Sequence, residues 1–223
     1  MNIVEYPDRE ALLLDLANTI AGELRAALES NDRASLCVPG GTTPGPVFDT
    51  LSGVTLDWDR VDVLLNDERW VPESSDRSNT TLLKQRLLVD KAAAATLVPL
   101  YADTPTPEEG LDGLMAAIEA TLPLDVLVLG MGADMHTASL FPGADQLELA
   151  LSDAAPTLLA MRAPNAQEPR ITLSAKALKS AMATHILITG DEKRTALERA
   201  ATLSPIDAPV SVFLAQATVH WAP

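Results

Sequence analysis

Basic residues and cysteine are scarce in this chain of 223 residues. It carries 16 Lys and Arg against 31 Asp and Glu, which gives a formal net charge of −15 at pH 7. This excess of negative charge repels phosphate backbones and anionic headgroups, so we expect neither nucleic acid nor a membrane as a partner. The single cysteine, Cys37, excludes an internal disulfide and fits a reducing compartment, which predicts a cytoplasmic location.

Long apolar runs and a secretory leader are also missing. No window of about 18 uninterrupted apolar residues occurs, so no segment is expected to span a membrane. The acidic start shows no basic leader with a cleavage site, so we expect no secretory signal. No repeat, low-complexity segment or linker divides the chain, which predicts a single domain over residues 1–223. The sequence does not set the oligomeric state, and a monomer is our default expectation.

Short apolar runs alternate with amphipathic segments along the chain. Strands are predicted at 34–38, 61–66, 126–129, 158–161, 185–189 and 210–214. Helices are predicted at 7–30, about 47–51, 80–90, 108–122, 175–182 and about 193–201. This alternation predicts an α/β fold, in which a mostly parallel sheet is covered by helices on both faces.

The most informative stretch is 123–143, which reads PLDVLVLGMGADMHTASLFPG. Its buried strand ends in two glycines that let the backbone turn sharply, and Asp134 and His136 follow at once. Open α/β sheets bind ligands at the carboxyl ends of their strands, so this pair is the leading candidate for a catalytic site. The plainer alternative is a strand-to-helix turn with an incidental histidine. We expect residues 137–140 to form the first turn of that helix.

Two other predicted strands also end in polar loops. Gly40, Gly41, Thr42 and Thr43 follow the first strand, where backbone N–H groups and hydroxyls could hold a phosphate in front of a helix. Without a Walker pattern, an ordinary turn is an equal alternative. The triplet 67–69, Asp-Glu-Arg, follows the second strand and could be a solvated corner, although we expect one member to point into a cleft.

Asn79 and Lys193 each have a structural alternative to ligand binding. Asn79 stands where either it or Ser78 could cap the following helix, and we weigh that role equally with substrate binding. Lys193 could be a solvated cation, but a cation in the first turn of a helix opposes the helix dipole, which favours an anionic partner. The histidines and the cysteine show no metal-ligand spacing, so no metal or cofactor is expected.

The ordered set VPGGTTP, NDERWVP with SN downstream, LDVLVLGMGADMHTASLFPG, APNAQEPRITLS and ITGDEK resembles the 6-phosphogluconolactonase family over nearly the whole chain. The resemblance implies a single Rossmann-like α/β domain and no cofactor. It also implies hydrolysis of 6-phospho-D-glucono-1,5-lactone, a small sugar-phosphate lactone, to 6-phosphogluconate in the oxidative pentose phosphate pathway. Members of this family generally carry glycine where this chain has Met135, so a positive φ there would strain the turn by about 1 kcal/mol.

On this hypothesis, the candidate site residues divide into a reacting end and a phosphate end. His136 acts as the general base, Asp134 or Asp67 orients its ring, and Arg69 faces the oxyanion together with amides of the glycine turn. The phosphate end comprises Gly40, Gly41, Thr42, Thr43, Arg170 and Lys193, with Asn79 as a further binding candidate.

Two other functions remain open at this stage. A sugar-phosphate isomerase or deaminase of the same superfamily is one, but deaminases resembling this chain place a glutamate where Phe141 stands. Phe141 cannot relay a proton, which favours the lactonase. The other is a non-catalytic sugar-phosphate sensor, which would keep the phosphate anchors and lose the base, so the presence of His136 counts against it.

Overall fold

A computed structural model describes residues 1–164 and 166–223. Its strands are β1 Asn2–Glu5, β2 Ala34–Val38, β3 Val61–Leu65, β4 Asp67–Arg69, β5 Thr96–Leu97, β6 Val126–Gly130, β7 Leu158–Met161, β8 Arg170–Leu173, β9 Ala183–Thr189 and β10 Thr218–Ala222. Its α-helices are α1 Arg9–Ser30, α2 Gly45–Ser52, α3 Asn79–Arg86, α4 Pro107–Glu119, α5 Leu147–Leu151, α6 Ala175–Leu178 and α7 Asp191–Ala200. Short 3-10 helices lie at Trp58–Arg60, Asp90–Ala94 and Pro209–Phe213.

The main sheet has seven strands in the order β1-β10-β9-β6-β2-β3-β5. Every pair in it is parallel, as predicted. All five residues of β2 are buried, so both faces of the central strands are covered, as the unbroken apolar runs indicated. The chain runs outward from β2 through β3 to β5, and outward from β6 through β9 to β10. The strand order therefore reverses between β2 and β6, and such reversals are where open α/β sheets bind ligands.

Helix α1 shows how the cover of the sheet follows from the sequence. Asp8 caps its first turn, because its carboxylate accepts a hydrogen bond from the N–H of Ala11 at 2.8 Å. The apolar residues at helical spacing, from Leu12 to Leu28, are buried in the core. Across the described residues, no helix combines the length and apolar character that crossing a membrane requires.

A second, antiparallel sheet has the order β4-β8-β7. It begins directly beyond β3, and it pairs Asp67 with Thr172 and Arg69 with Arg170. Residues 67–69 were expected in a polar loop and Arg170 outside any strand, and both predictions were wrong. Three- and four-residue strands with charged ends carry too little periodicity to be distinguished from loops.

Two further predictions of secondary structure were wrong. The run 210–214 is not a strand, because residues 210–213 lie in the 3-10 helix Pro209–Phe213, which buries Pro209, Val210 and Phe213. The last strand is β10, which contains both His220 and Trp221 and therefore lacks a clear apolar run. Residues 137–140 form no helical turn, because Ala138 has φ 49° and the backbone makes a tight bridge between Thr137 and Leu140.

Candidate active site

A cleft of about 300 Å³ opens at the carboxyl ends of the central strands. The loops that follow β2, β3, β6 and β9 all contribute to it, which is the arrangement that the strand order favours. It is lined by the candidate residues Gly40, Gly41, Thr42, Thr43, Asp67, Arg69, Asn79, His136, Arg170 and Lys193. Asp134 is the candidate that does not line it. The structure thus brings together residues that are up to 153 positions apart in the chain, from Gly40 to Lys193.

His136 and Asp134 form a hydrogen-bonded pair at the rim of this cleft. Nδ1 of His136 lies 2.5 Å from Oδ1 of Asp134, and this hydrogen bond lowers the pKa of the aspartate below its ordinary value. The other ring nitrogen, Nε2, has no hydrogen-bond partner among the described residues. A carboxylate behind Nδ1 fixes the orientation of the ring and leaves Nε2 as the atom that can exchange a proton with a ligand.

The turn that carries this pair depends on its glycines and on strained backbone. A Cβ at Gly132 would overlap the imidazole of His136, so only glycine fits beneath the ring. The N–H of Gly132 donates to the carbonyl of His136 at 3.0 Å, which closes the turn. Met135 has φ 66°, which confirms that the position where the family carries glycine is left-handed in this chain. The carbonyl of Met135 accepts a hydrogen bond from the N–H of Val210, so the 3-10 helix Pro209–Phe213 holds this turn in place.

Phe141 contacts one residue of the reacting end, His136, and one residue of the phosphate end, Arg170. Its ring stacks on the imidazole of His136, with 4.1 Å between centroids, and the guanidinium carbon of Arg170 lies 5.2 Å from the ring centre. Stacking restricts rotation of the imidazole, and the guanidinium gains a cation–π contact. No proton can pass through this side chain.

The glycine-threonine loop lies beside the first turn of α2. Gly41 has φ 87°, and a Cβ at Gly40 would overlap the side chain of Asn79. Gly41 is therefore required by its backbone conformation, and Gly40 by the close approach of the Asn79 side chain. Among the described side chains none caps the N-terminus of α2, where Gly45 donates its N–H to the carbonyl of Thr42 at 3.3 Å and Pro46 has no N–H. The loop, the hydroxyls of Thr42 and Thr43 and this helix end together form a surface suited to an anion.

Asp67 and Arg170 form the buried side of the cleft. Oδ2 of Asp67 accepts a hydrogen bond from Ser139 Oγ at 2.6 Å and lies 3.6 Å from Nη1 of Arg170. Of the two aspartates considered as partners of the imidazole, the structure places Asp134 against it and Asp67 against Ser139. Burial lowers the pKa of Arg170, and the charge of Asp67 partly offsets this effect.

Arg69, Asn79 and Lys193 complete the cleft. Arg69 lies opposite Arg170 in the small sheet and donates from Nη1 to the carbonyl of Arg77 at 2.5 Å. Ser78 is the cap of α3, so Asn79 is free of that role, and its Nδ2 donates to the carbonyl of Asp67 at 3.1 Å. Lys193 is in the first turn of α7, as predicted, and burial lowers the pKa of its ammonium.

Sequence reasoning missed three residues that support the cleft. Asn66 is fully buried and donates from Nδ2 to the carbonyl of Val128 at 3.1 Å, which ties the end of β3 to β6. Ser139 holds Asp67 as described above. Glu68, in the Asp-Glu-Arg triplet, points away from the cleft and is fully buried. A signal existed for Asn66 and Glu68 alone, since both are polar residues at the end of a strand predicted to be buried.

The described residues group no three His, Cys, Asp or Glu side chains as ligands of a metal ion. What the cleft offers is a histidine–aspartate pair, a phosphate-type loop and partly buried cations, on a Rossmann-like α/β fold. These features define an enzyme-like site for a small anionic molecule.

Comparisons with known proteins agree with this class. The family model described as glucosamine-6-phosphate isomerases/6-phosphogluconolactonase matches residues 7–221. The chain belongs to this family. A 6-phosphogluconolactonase of Rhizobium meliloti (strain 1021) is 41% identical, covering 100% of this chain and 98% of that protein. A 6-phosphogluconolactonase of Pseudomonas aeruginosa is 42% identical, covering 93% of this chain and 89% of that protein.

Solved structures resemble the chain over its full length. A 6-phosphogluconolactonase from Shewanella baltica OS155 has a TM-score of 0.94 at 34% identity, covering 100% of this chain and 98% of the other. A monomeric glucosamine-6-phosphate deaminase has a TM-score of 0.79 at 16% identity, covering 100% and 97% of the two chains. The second comparison shows only that the fold is shared.

Proposed function

We propose that this chain hydrolyses 6-phospho-D-glucono-1,5-lactone to 6-phosphogluconate, a step of the oxidative pentose phosphate pathway. The observation that carries the proposal is the position of the His136–Asp134 pair, whose free Nε2 borders the same cleft as two partly buried cations, Arg170 and Lys193. The family relationship and the named relatives support the same reaction.

The imidazole of His136 would perform both proton transfers. Nε2 removes a proton from water as the water oxygen attacks the lactone carbonyl carbon, and the bond between that carbon and the ring oxygen then breaks. The imidazolium returns its proton to the departing ring oxygen. Asp134 holds Nδ1–H throughout and stabilises the positive charge that develops on the ring.

Arg69 is the proposed partner of the developing oxyanion. The glycine-turn amides were expected to share this role, but the N–H of Gly132 is engaged by the carbonyl of His136. Arg69 lines the cleft, and its Nε is buried without a hydrogen-bond partner among the described residues. Its positive charge would stabilise the negative charge that develops on the oxyanion.

The phosphate would bind at the other end, between the Gly40–Thr43 loop, Arg170 and Lys193. Partial burial strengthens the attraction between these cations and a phosphate dianion, because fewer water molecules screen it. Asp67 keeps Arg170 in place without neutralising the whole site, since Lys193 adds a second positive charge. Local cations can thus bind an anion although the chain as a whole carries −15.

An assay of lactone disappearance above the spontaneous rate tests the proposal. We expect the purified chain to accelerate hydrolysis of the 6-phosphorylated lactone and to act poorly on unphosphorylated 1,5-gluconolactone. Phe141, which stacks on the base, disfavours the deaminase alternative. Ammonia release from glucosamine 6-phosphate at a rate matching lactone hydrolysis would contradict the proposal.

Several expectations stay predictions from the sequence. These are the single domain over residues 1–223, the cytoplasmic location, the monomeric state and the lack of nucleic-acid or membrane partners. They rest on the net charge, the single cysteine and the continuous pattern of strands and helices.

A further inference from the structure

Glu68 is a buried carboxylate for which the mechanism above has no role. It is 0% exposed, and no basic side chain forms an ion pair with it among the described residues. An unpaired buried charge is costly unless hydrogen bonds replace the lost water. The environment of Glu68 therefore has to explain why a carboxylate is present there.

Five hydrogen bonds converge on this carboxylate. Oε1 accepts from the backbone N–H groups of Arg69 and Asn79, each at 2.8 Å. Oε2 accepts from the N–H of Thr80 at 2.7 Å, from Thr80 Oγ1 at 2.8 Å and from Ser78 Oγ at 3.1 Å. Every partner donates, so the ionised form satisfies all of them, whereas an amide would set its own N–H groups against at least one donor.

Glu68 also occupies the N-terminus of α3. Asn79 and Thr80 are the first two residues of that helix, and their N–H groups have no partner within the helix. A carboxylate at this end is stabilised by the helix dipole. Glu68 therefore acts as an internal anion that attaches the helix to β4.

This attachment joins three parts of the cleft. Side chains alternate along β4, so Asp67 and Arg69 face the cleft while Glu68 between them faces α3. Asn79, which Glu68 holds by its N–H, donates to the carbonyl of Asp67 and packs on Gly40 of the phosphate loop. Any shift of α3 relative to β4 would move these cleft residues together.

We propose that Glu68 is a positioning residue for the reaction: its buried carboxylate joins β4 to the first turn of α3 and so sets the positions of Arg69 and Asn79 in the cleft. The proposal rests on the function proposed above. This role differs from a role in stability alone, because it requires kcat/KM to fall even in a variant that is folded.

Glu68→Gln is the direct test, because the amide has the same shape and lacks the charge. At temperatures where circular dichroism shows the variant to be folded, we expect kcat/KM for the phosphorylated lactone to fall about ten- to a hundredfold. We expect lower kcat through Arg69 and higher KM through Asn79 and the Gly40 loop. A folded variant with the kcat and KM of the wild type would overturn the proposal.

Glu73→Gln is the matched control. Glu73 also contacts α3, since its carboxylate forms an ion pair with Lys84 of that helix. It is exposed, however, and does not line the cleft. We expect kcat and KM of this variant to equal those of the wild type. An equal loss in both variants would mean that any perturbation of α3 has this effect, and the specific role of Glu68 would be rejected.

Thr80→Val keeps the proposal testable if Glu68→Gln does not fold. It removes one of the five donors while preserving the shape of the side chain. We expect a change in the same direction, of about two- to tenfold in kcat/KM, and a folded variant with unchanged kcat and KM contradicts the proposal.

Binding of 6-phosphogluconate, measured by calorimetry, separates this inference from the proposed function. If the wild type binds this compound but does not hydrolyse the lactone, the proposed function fails while the positioning role can still be judged. Glu68→Gln should then weaken binding about tenfold, and unchanged binding would overturn the role of Glu68.

Discussion

Two regions of the molecule join histidine to carboxylate, and they differ in what the imidazole is free to do. At the cleft, His136 contacts Asp134 through one ring nitrogen, and its side chain is 29% exposed. In the main sheet, His185 on β9 and His220 on β10 contact each other and are 4% and 3% exposed. The residue types are the same, but only the first region presents a ring nitrogen to a ligand.

The buried pair uses all four of its ring nitrogens within the protein. Nδ1 of His185 lies 3.0 Å from Nε2 of His220, and Nε2 of His185 lies 2.8 Å from the carboxylate of Glu23. Nδ1 of His220 contacts the hydroxyl of Tyr6 at 2.9 Å, and that hydroxyl donates to Asp15 at 2.6 Å. Burial and the neighbouring His185 lower the pKa of His220 to about 4. His220 is therefore neutral at neutral pH, and the pair has no ring nitrogen left for catalysis.

The largest expected effect is on catalysis. His136→Ala should lower the enzymatic rate of lactone hydrolysis by about 10²–10⁴, because the general base is lost, while the fold and binding of 6-phosphogluconate persist. His220→Gln is the matched control and should keep the kcat of the wild type at pH 7.5. Near-full activity of His136→Ala would remove this residue from the mechanism. Loss of folding in that variant would instead indicate a structural histidine.

The next effect concerns stability in acid. Unfolded His220 takes up a proton near pH 6.5 but the folded form does so only near pH 4, so the unfolded state binds more protons between these values. The contribution of His220 to the free energy of unfolding is therefore fully present above about pH 6.5. It falls by up to about 3 kcal/mol as the pH is lowered to 4. His185 and Tyr6 contact His220, while Glu23 lies beyond His185 and Asp15 beyond Tyr6.

Urea denaturation at several pH values measures this dependence. His220→Gln should flatten it between pH 6.5 and 4. The lowered pKa of Asp134 acts below its ordinary value of 3.8 and thus lies outside this window. An unchanged slope in His220→Gln would show that His220 is not the source of this pH dependence.

Arg170→Ala should weaken substrate binding at the phosphate end of the cleft. A charge-assisted hydrogen bond contributes about 1.5–3 kcal/mol, so affinity for the phosphorylated lactone should fall about ten- to a hundredfold, mainly in KM. Hydrolysis of the unphosphorylated lactone should change little in this variant. Arg162→Ala, which removes an exposed cation paired with Glu108, is the control and should alter neither substrate. Equal slowing of both lactones would make Arg170 catalytic or structural.

The smallest effect is expected at the strained turn. Met135→Gly would relieve about 1 kcal/mol of backbone strain but remove a side chain that is only 9% exposed, worth about 1.5–3 kcal/mol. We expect a net loss of about 1 kcal/mol in the free energy of unfolding. Ala138→Gly, also at positive φ but with little side chain to lose, should be neutral or slightly stabilising. Stabilisation by Met135→Gly would show that its side chain contributes little packing.

The central elements and most of the site could be predicted from local patterns. The strands β2, β6 and β7 and the long helix α1 were predicted closely, because unbroken apolar runs and helical spacing are strong signals. The elements that were wrong or missed are short or mixed in character. Examples are β4, β8, β10 and the 3-10 helix Pro209–Phe213, whose conformations depend on contacts with distant parts of the chain.

The sequence by itself indicated that the polar segments after β2, β3, β6 and β9 would gather at the cleft, since segments that follow buried parallel strands meet at one edge of the sheet. Only the tertiary structure decided which partner each of them takes. In the structure, His136 hydrogen-bonds to Asp134 while Asp67 hydrogen-bonds to Ser139, and the carboxylate of Glu68 points toward α3. The tertiary structure also joined His185 to His220 across 35 residues. Hydrogen bonds reach only about 3 Å, so choices among neighbouring carboxylates depend on side-chain directions that a linear pattern does not contain.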